Sequence, residues 1–129
     1  MEEKKETPIR ILVVEDVLTT RLFMKKALKK MGYTDIVLAD DGDSALIELK
    51  RGKFDLVLCD WNMPNISGLD FLQQMRKIRH LRFTPFLLVT SEMDKDKVKE
   101  AMRAGVDQYI VKPIDVVSLE GKIQKALRK

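Results

Sequence analysis

Five short apolar runs, each followed by a segment with apolar residues at helical spacing, constrain this chain more than any other feature. The runs are Arg10–Val14, Ile36–Ala39, Leu56–Cys59, Phe86–Val89 and Tyr109–Val111. Continuous runs this short read as strands buried on both faces. Strand then helix, repeated through the chain with short connections, calls for an α/β fold: a five-stranded parallel sheet with helices on both faces. Right-handed crossovers leave few topologies, and the flavodoxin-like (βα)5 arrangement with strand order 2-1-3-4-5 is the natural choice.

The helices can be sketched from spacing and caps. Thr19 or Thr20 can cap a first helix running to about Met31, with Met24, Ala27, Leu28 and Met31 inward, and Gly32 ends it. Arg21, Lys25 and Lys29 line its opposite side, most simply as a solvated face and more sharply as a docking stripe for an acidic partner. Asp40, Asp41 and Asp43 read as turn and cap residues ahead of a helix from about Ser44 to Lys50 that buries Ala45, Leu46 and Leu49. A third helix, Gly68 to about Ile78, turns Leu69, Leu72, Met75 and Ile78 inward. The fourth, about Asp94 to Ala104, is highly charged. It offers only Val98, Ala101 and Met102 for burial, so weak anchoring is expected. The last, about Val116 to Leu127, buries Val116, Leu119, Ile123, Ala126 and Leu127.

At 129 residues the chain is one domain, residues 9–129, behind a charged N-terminal tail, residues 1–8. No apolar run approaches membrane-spanning length and Met1 to Thr7 is no signal peptide, so a cytoplasmic protein is expected. The chain stops just after its fifth helix, so no output domain is expected. Cys59 is alone and sits in an apolar run, where a buried small hydrophobe is the simple reading. The single His80, read as a surface residue, rules out a histidine-cluster metal site. A net charge of +4, scattered and without zinc-finger or arginine-rich patterning, argues for neither a nucleic acid nor a membrane partner. A monomer is expected.

The chemistry begins where the third run ends abruptly in Asp60, ahead of Trp61-Asn62-Met63-Pro64-Asn65. Asn and Pro are loop chemistry, which puts Asp60 at the carboxyl end of a buried strand, where open α/β sheets place their ligand sites. A charged carboxylate against an apolar strand needs partners. In the 2-1-3-4-5 order Glu15 and Asp16 converge on Asp60, and Thr90 and Lys112 stand at the matching ends of the fourth and fifth strands. Three converging carboxylates repel unless a cation lies among them, and an oxygen-only set selects Mg²⁺, or Mn²⁺. Asp16 and Asp60 are the candidate direct ligands, the backbone carbonyl of Asn62 a further one, and Glu15 a ligand through water. Asp60 then keeps a free oxygen able to act as a nucleophile in phosphoryl transfer. Lys112 can offset the developing charge, and the Thr90 hydroxyl can bond a phosphoryl oxygen.

Glu15-Asp16, Asp60-Trp61-Asn62-Met63-Pro64, Thr90-Ser91 and Lys112-Pro113 together resemble the signature positions of the response-regulator receiver domain, over about Ile9 to Leu127. The Trp61 to Pro64 stretch is most similar to the single-domain chemotaxis (CheY-type) regulators, whose strand order is that given above. The resemblance implies that Asp60 is the phospho-acceptor, Glu15 and Asp16 the acidic metal pair, Thr90 the switch hydroxyl, Tyr109 the switch aromatic and Lys112 the invariant lysine. It implies a cis peptide before Pro113, and roles for Asn62 and Glu92 in tuning the phosphoryl lifetime. Glu15 stands where many members have Asp, and Ile114 where chemotaxis members often have Phe, on the face that partners read.

The function so implied is a two-component signalling regulator and not an enzyme. Asp60 would be phosphorylated, with Mg²⁺, by a histidine kinase or phosphotransfer protein. The phosphorylated form would bind a downstream target, the flagellar motor switch being the chemotaxis candidate, and a phosphatase would reset it. A phosphorelay intermediate or another single-domain regulator is the alternative within the same fold. A Mg²⁺-dependent aspartyl-nucleophile phosphohydrolase is the rival from another class. Such enzymes of the haloacid-dehalogenase type carry a second Asp two residues after the nucleophile, where this chain has Asn62.

Overall fold

A computed structural model describes residues 8–91 and 95–128. Its strands are β1 (Arg10–Val14), β2 (Asp35–Ala39), β3 (Leu56–Asp60), β4 (Phe86–Thr90) and β5 (Gln108–Val111). Its α-helices are α1 (Leu18–Lys30), α2 (Gly42–Arg51), α3 (Gly68–Lys77), α4 (Lys95–Arg103) and α5 (Val116–Arg128), with a short 3₁₀ turn at Arg79–Leu81. All strand pairs are parallel and the sheet order is β2-β1-β3-β4-β5. The expected fold class is the observed one.

Alternation along each strand divides the core into two layers. Leu12, Val14, Val57, Cys59, Phe86 and Leu88 face one way, onto α2, α3 and Ala101 of α4. Ile11, Val13, Leu56, Leu58, Leu87, Val89 and Ile110 face the other way, onto α1 and α5. Strands covered on both faces need no polar positions, which is why β3 and β4 are buried throughout. Among the described residues no helix is long and apolar enough to cross a membrane.

Several helix details differ from expectation. Neither Thr19 nor Thr20 caps α1: the helix starts at Leu18 behind Val17, which offers no side-chain cap. The chain turns into α1 directly off β1, and Glu15 Oε2 accepts the Val17 N–H instead (3.1 Å). Helix α2 starts two residues before Ser44, because Asp41 Oδ1 accepts the Ser44 N–H (2.8 Å) and so makes Asp41 the cap. Phe71 is fully buried while Leu69 is only half-buried, so the inner stripe of α3 is rotated from the one expected. Met102 and Val116, expected inside, are 43% and 38% exposed. Both lie at the edge of the face their helix turns to the sheet, where spacing alone does not fix the side. Helix α4 buries only Ala101 among its described side chains, with Val98 half-buried, as its composition suggests.

Arg76, which no sequence signal singled out, ties three connections together. It donates to the carbonyls of Thr84 (2.6 Å), Leu81 (3.1 Å) and Gly105 (3.1 Å), and Asp107 Oδ2 lies 3.4 Å away. Asp107 in turn accepts the Phe86 N–H at the start of β4 (2.7 Å). Burial lowers the pKa of the Arg76 guanidinium and the Asp107 charge opposes that, so the side chain serves as a fixed donor fork.

Candidate functional site

The site lies at the carboxyl ends of β1, β3, β4 and β5, and its geometry follows from the register. Val14 is paired with Cys59, so the next residue on each strand sets Glu15 level with Asp60. Thr90 is paired with Val111, and the Lys112 N–H continues that ladder to Thr90 O (2.8 Å). Four strand ends therefore present their next side chains into one crevice.

Glu15 is fully buried and Asp60 is 5% exposed, whereas Asp16 is exposed. Among the described residues, these three carboxylates have oxygens within 4.8 Å of one another. Lys112 Nζ sits between two of them, 3.2 Å from Asp60 Oδ2 and 3.1 Å from Glu15 Oε1. The contact with Asp60 is a hydrogen bond; that with Glu15 is an ion pair without hydrogen-bond alignment, so Glu15 Oε1 is buried without a hydrogen-bond partner. Asp60 Oδ1 accepts the Asn62 N–H (3.2 Å), which fixes the carboxylate at the strand end.

Burial raises the pKa of Glu15. The Val17 N–H opposes this, the Asp60 charge adds to it, and Lys112 draws it back down. For Lys112, burial would lower the pKa, but Glu15 and Asp60 outweigh it and hold the ammonium above its ordinary value. Burial, followed by the charges of Asp60 and Glu15, pushes the Cys59 thiol well up, so it packs as an inert small hydrophobe.

Such a donor set fits a hard divalent cation. It is all oxygen, carries an excess of negative charge over the single lysine, and leaves Glu15 Oε1 buried without a hydrogen bond. Burial of one acid, partial cover of the second and exposure of the third leave an open side toward solvent.

Thr90 is buried at the end of β4. Between β4 and α4, beside Thr90, Trp61, Leu88, Lys97 and Val98 enclose a gap of only about 10 Å³. Tyr109 is half-buried on β5, with Lys122 Nζ of α5 5.3 Å from its ring centroid. The Lys112–Pro113 peptide is cis, as the resemblance implies. Glu92 lies outside the described residues, as do the first seven residues of the tail. Sequence reasoning brought Glu15, Asp16, Asp60, Thr90 and Lys112 to one place, and the structure brings them there.

It treated Gly68 only as the start of a helix. A Cβ at Gly68 would lie 2.8 Å from Trp61 Cα and 2.9 Å from Asp60 O. The first turn of α3 can therefore close against the end of β3 only with glycine there, and the Gly68 N–H donates to Trp61 O (2.8 Å). The glycine after Met63-Pro64 was the available signal.

Residues 11–124 match the family described as the response regulator receiver domain. The chain belongs to that family. It is 40% identical to the chemotaxis protein CheY of Pseudomonas aeruginosa over 121 residues, covering 94% of this chain and 98% of the relative. Among solved structures it is similar to the chemotaxis response regulator CheY4 of Vibrio cholerae, with a TM-score of 0.88 and 30% identity, covering 94% of this receiver domain and all of that chain. It also shares its fold with the receiver domain of a sensor histidine kinase of Pseudomonas aeruginosa, solved with a magnesium ion coordinated in its active-site cleft. There the TM-score is 0.86 at 24% identity, covering 95% of this chain and 100% of that one. The chain is thus a CheY-like receiver domain of two-component signalling, and its acidic cluster is compatible with magnesium.

Proposed function

We propose that this receiver domain is phosphorylated on Asp60 by a phosphohistidine donor and signals chemotaxis through phospho-dependent binding in the cytoplasm. The observation that carries the reading is the position of Lys112 Nζ, 3.2 Å from Asp60 Oδ2 and beside the buried Glu15. A lysine there can meet the negative charge that a transferred phosphoryl group brings to the same carboxylate.

In the reaction, one Asp60 oxygen attacks phosphorus while the bond from phosphorus to the donor imidazole nitrogen breaks. The imidazole keeps that bond's electron pair and Asp60 becomes an acyl phosphate. Asp16, Asp60 and the Asn62 carbonyl would hold the magnesium ion, with Glu15 bonding through water. That ion would supply charge neutralisation at the phosphoryl oxygens. By the family resemblance, Asn62 and Glu92 would tune the phosphoryl lifetime. The donor's approach is supported by an open depression of about 540 Å³ beside Lys112, lined by Thr19, Thr20, Phe23, Pro113 and Ile114. Exposed Val17, Leu18 and Leu22 flank it on α1 and the turn before it, and suit a helical histidine-bearing partner.

The readout would run through Thr90 and Tyr109. The gap beside Thr90, between β4 and α4, is small. Tyr109 can turn inward only once Thr90 moves toward the phosphoryl oxygens and α4, thinly anchored through Ala101, gives way. That is a local charge event biasing a two-state element. The surface changed would be α4, β5 and α5, and in chemotaxis its target would be the flagellar motor switch, with a phosphatase ending the signal.

Capture of purified flagellar switch protein by the chain, with and without the phosphoryl mimic beryllofluoride, tests the reading. Binding should require the mimic and Mg²⁺ and be lost in Asp60→Asn and Thr90→Ala. Mimic-independent binding, or none, overturns the chemotaxis assignment. Onward transfer of the phosphoryl group to a second histidine would make the chain a relay intermediate instead.

A further inference from the structure

Helices α2 and α3 run side by side away from the site, and between them lies a groove of about 500 Å³ lined by Leu46, Lys50, Gln74, Lys77 and Ile78. Leu46 and half-buried Ile78 are its apolar residues, and Lys50, Gln74 and Lys77 are exposed along it. Leu46 and Lys50 are one helical turn apart on α2, as are Gln74 and Ile78 at the end of α3, so each pair projects to the same side. Ile47, one position along α2, is 54% exposed, an aliphatic side chain left outside the core.

Charge along the groove is graded. The acids Asp43 and Asp70 stand in the first turns of α2 and α3. The last turns carry Lys50, Arg51 and Lys77, and beyond them follow Lys53, Arg79 and Arg82, all exposed. His80 Nε2 lies 3.4 Å from Gly52 O, which holds the turn after α3 against the turn after α2 and gathers those cations at one end. Basic last turns suit helix dipoles, but Lys53, Arg79 and Arg82 lie outside the helices. Glu48 pairs with Arg51 at 3.5 Å and leaves the others facing solvent.

The geometry points to the α2–α3 groove as a docking site for an acidic peptide segment that carries an apolar anchor residue. The anchor seats on Leu46 and Ile78, and the acidic end lies toward Lys50 and Lys77. A concave groove that combines two apolar residues with exposed lysines favours a short acidic protein segment over a lipid surface, which would need a flat or convex face. The groove opens to solvent between α2 and α3, with the core residue Leu46, 9% exposed, and half-buried Ile78 at its base, and does not include any residue of the Asp60 crevice. It would serve a partner whatever the phosphorylation state.

Peptides selected from a random dodecapeptide library on the wild-type chain test this directly. Enriched sequences should combine acidic residues with a leucine, isoleucine or aromatic. Their affinity should fall about tenfold or more in Lys50→Glu/Lys77→Glu and weaken as salt is raised. Leu46 and Ile78 amides should shift on titration of the selected peptide. The variant's circular dichroism and thermal midpoint show that it is folded. Enriched peptides without acidic excess, or unchanged binding to the folded variant, overturn the proposal. So does charge-reversal-sensitive binding to phosphatidylglycerol vesicles or to single-stranded DNA in the absence of any selected peptide.

Discussion

Lys112 Nζ and Asp60 Oδ2 are 3.2 Å apart across 52 residues of chain, and the same ammonium lies 3.1 Å from the buried Glu15. One flexible cation thus stands where the site gathers two carboxylates that the fold has removed from water. Burial would lower its pKa, but the two carboxylates outweigh that and hold the ammonium above its ordinary value.

Replacing Lys112 with Met should leave Glu15 and Asp60 facing each other without a cation. Lys112 is 23% exposed, so solvent screens part of the loss, and a cost of about 1–3 kcal/mol in metal-free buffer is expected. Mg²⁺ should restore more stability to this variant than it adds to wild type, because it takes over the missing positive charge. Urea unfolding with and without Mg²⁺ reads both effects; equal Mg²⁺ increments in the two proteins would count against the shared-charge account.

Asp16 is the exposed member of the acidic group, so removing it should separate metal binding from folding. Asp16→Ala should unfold within about 0.5 kcal/mol of wild type in the absence of metal. Wild type should gain about 2.7 kcal/mol at a Mg²⁺ concentration a hundred times its Kd, and the variant should gain little. Half-buried Trp61, next to Asp60, offers a fluorescence signal for the same titration.

Gly68→Ala should disturb the site without touching any acid. Its methyl group would press on Trp61 Cα and Asp60 O, both backbone atoms that cannot rotate away. A destabilisation of about 1–3 kcal/mol is expected from overpacking, with weaker Mg²⁺ binding and a shifted Trp61 emission. A variant with wild-type stability and emission would show that the first turn of α3 yields freely.

Asp41 gives a pH-dependent test of a cap. Its side chain accepts the Ser44 N–H, and that bond, followed by the Ser44 hydroxyl, lowers its pKa. A depressed folded pKa means that the unfolded state binds more protons in acid. The stabilisation is therefore full above the unfolded value of about 3.9 and is lost as pH falls through the folded one. Asp41→Ala should cost about 1 kcal/mol at neutral pH. The gap between the two proteins should narrow below about pH 4, and a gap that stays constant or widens in acid would contradict the cap.

Strands and site were legible because both rest on local patterns. A strand buried on both faces must be an apolar run, and a parallel sheet must end those runs at one edge. Glu15, Asp16, Asp60, Thr90 and Lys112 all follow such runs directly, so topology alone brings them together. Helix sides were less legible. Val116 and Met102 have the chemistry of core residues and lie outside, while Phe71 displaced Leu69 from the inner stripe, because neighbouring positions differ by a small rotation that only the facing surface decides.

The chain by itself determined the number and direction of the strands, the two-sided core and the identity of the acidic crevice, since burial and strand ends leave their mark residue by residue. Only the tertiary structure decided that Lys112 bridges Glu15 and Asp60, that Arg76 gathers the Leu81, Thr84 and Gly105 carbonyls, and that Gly68 lets α3 close on Asp60. Lys112 reaches Glu15 and Asp60, and Arg76 reaches Gly105, across long stretches of chain, while the contacts of Gly68 and the other Arg76 contacts join separate elements close in sequence. Such contacts are set by how whole elements pack, and apart from the glycine after Met63-Pro64 no local pattern of residues records them.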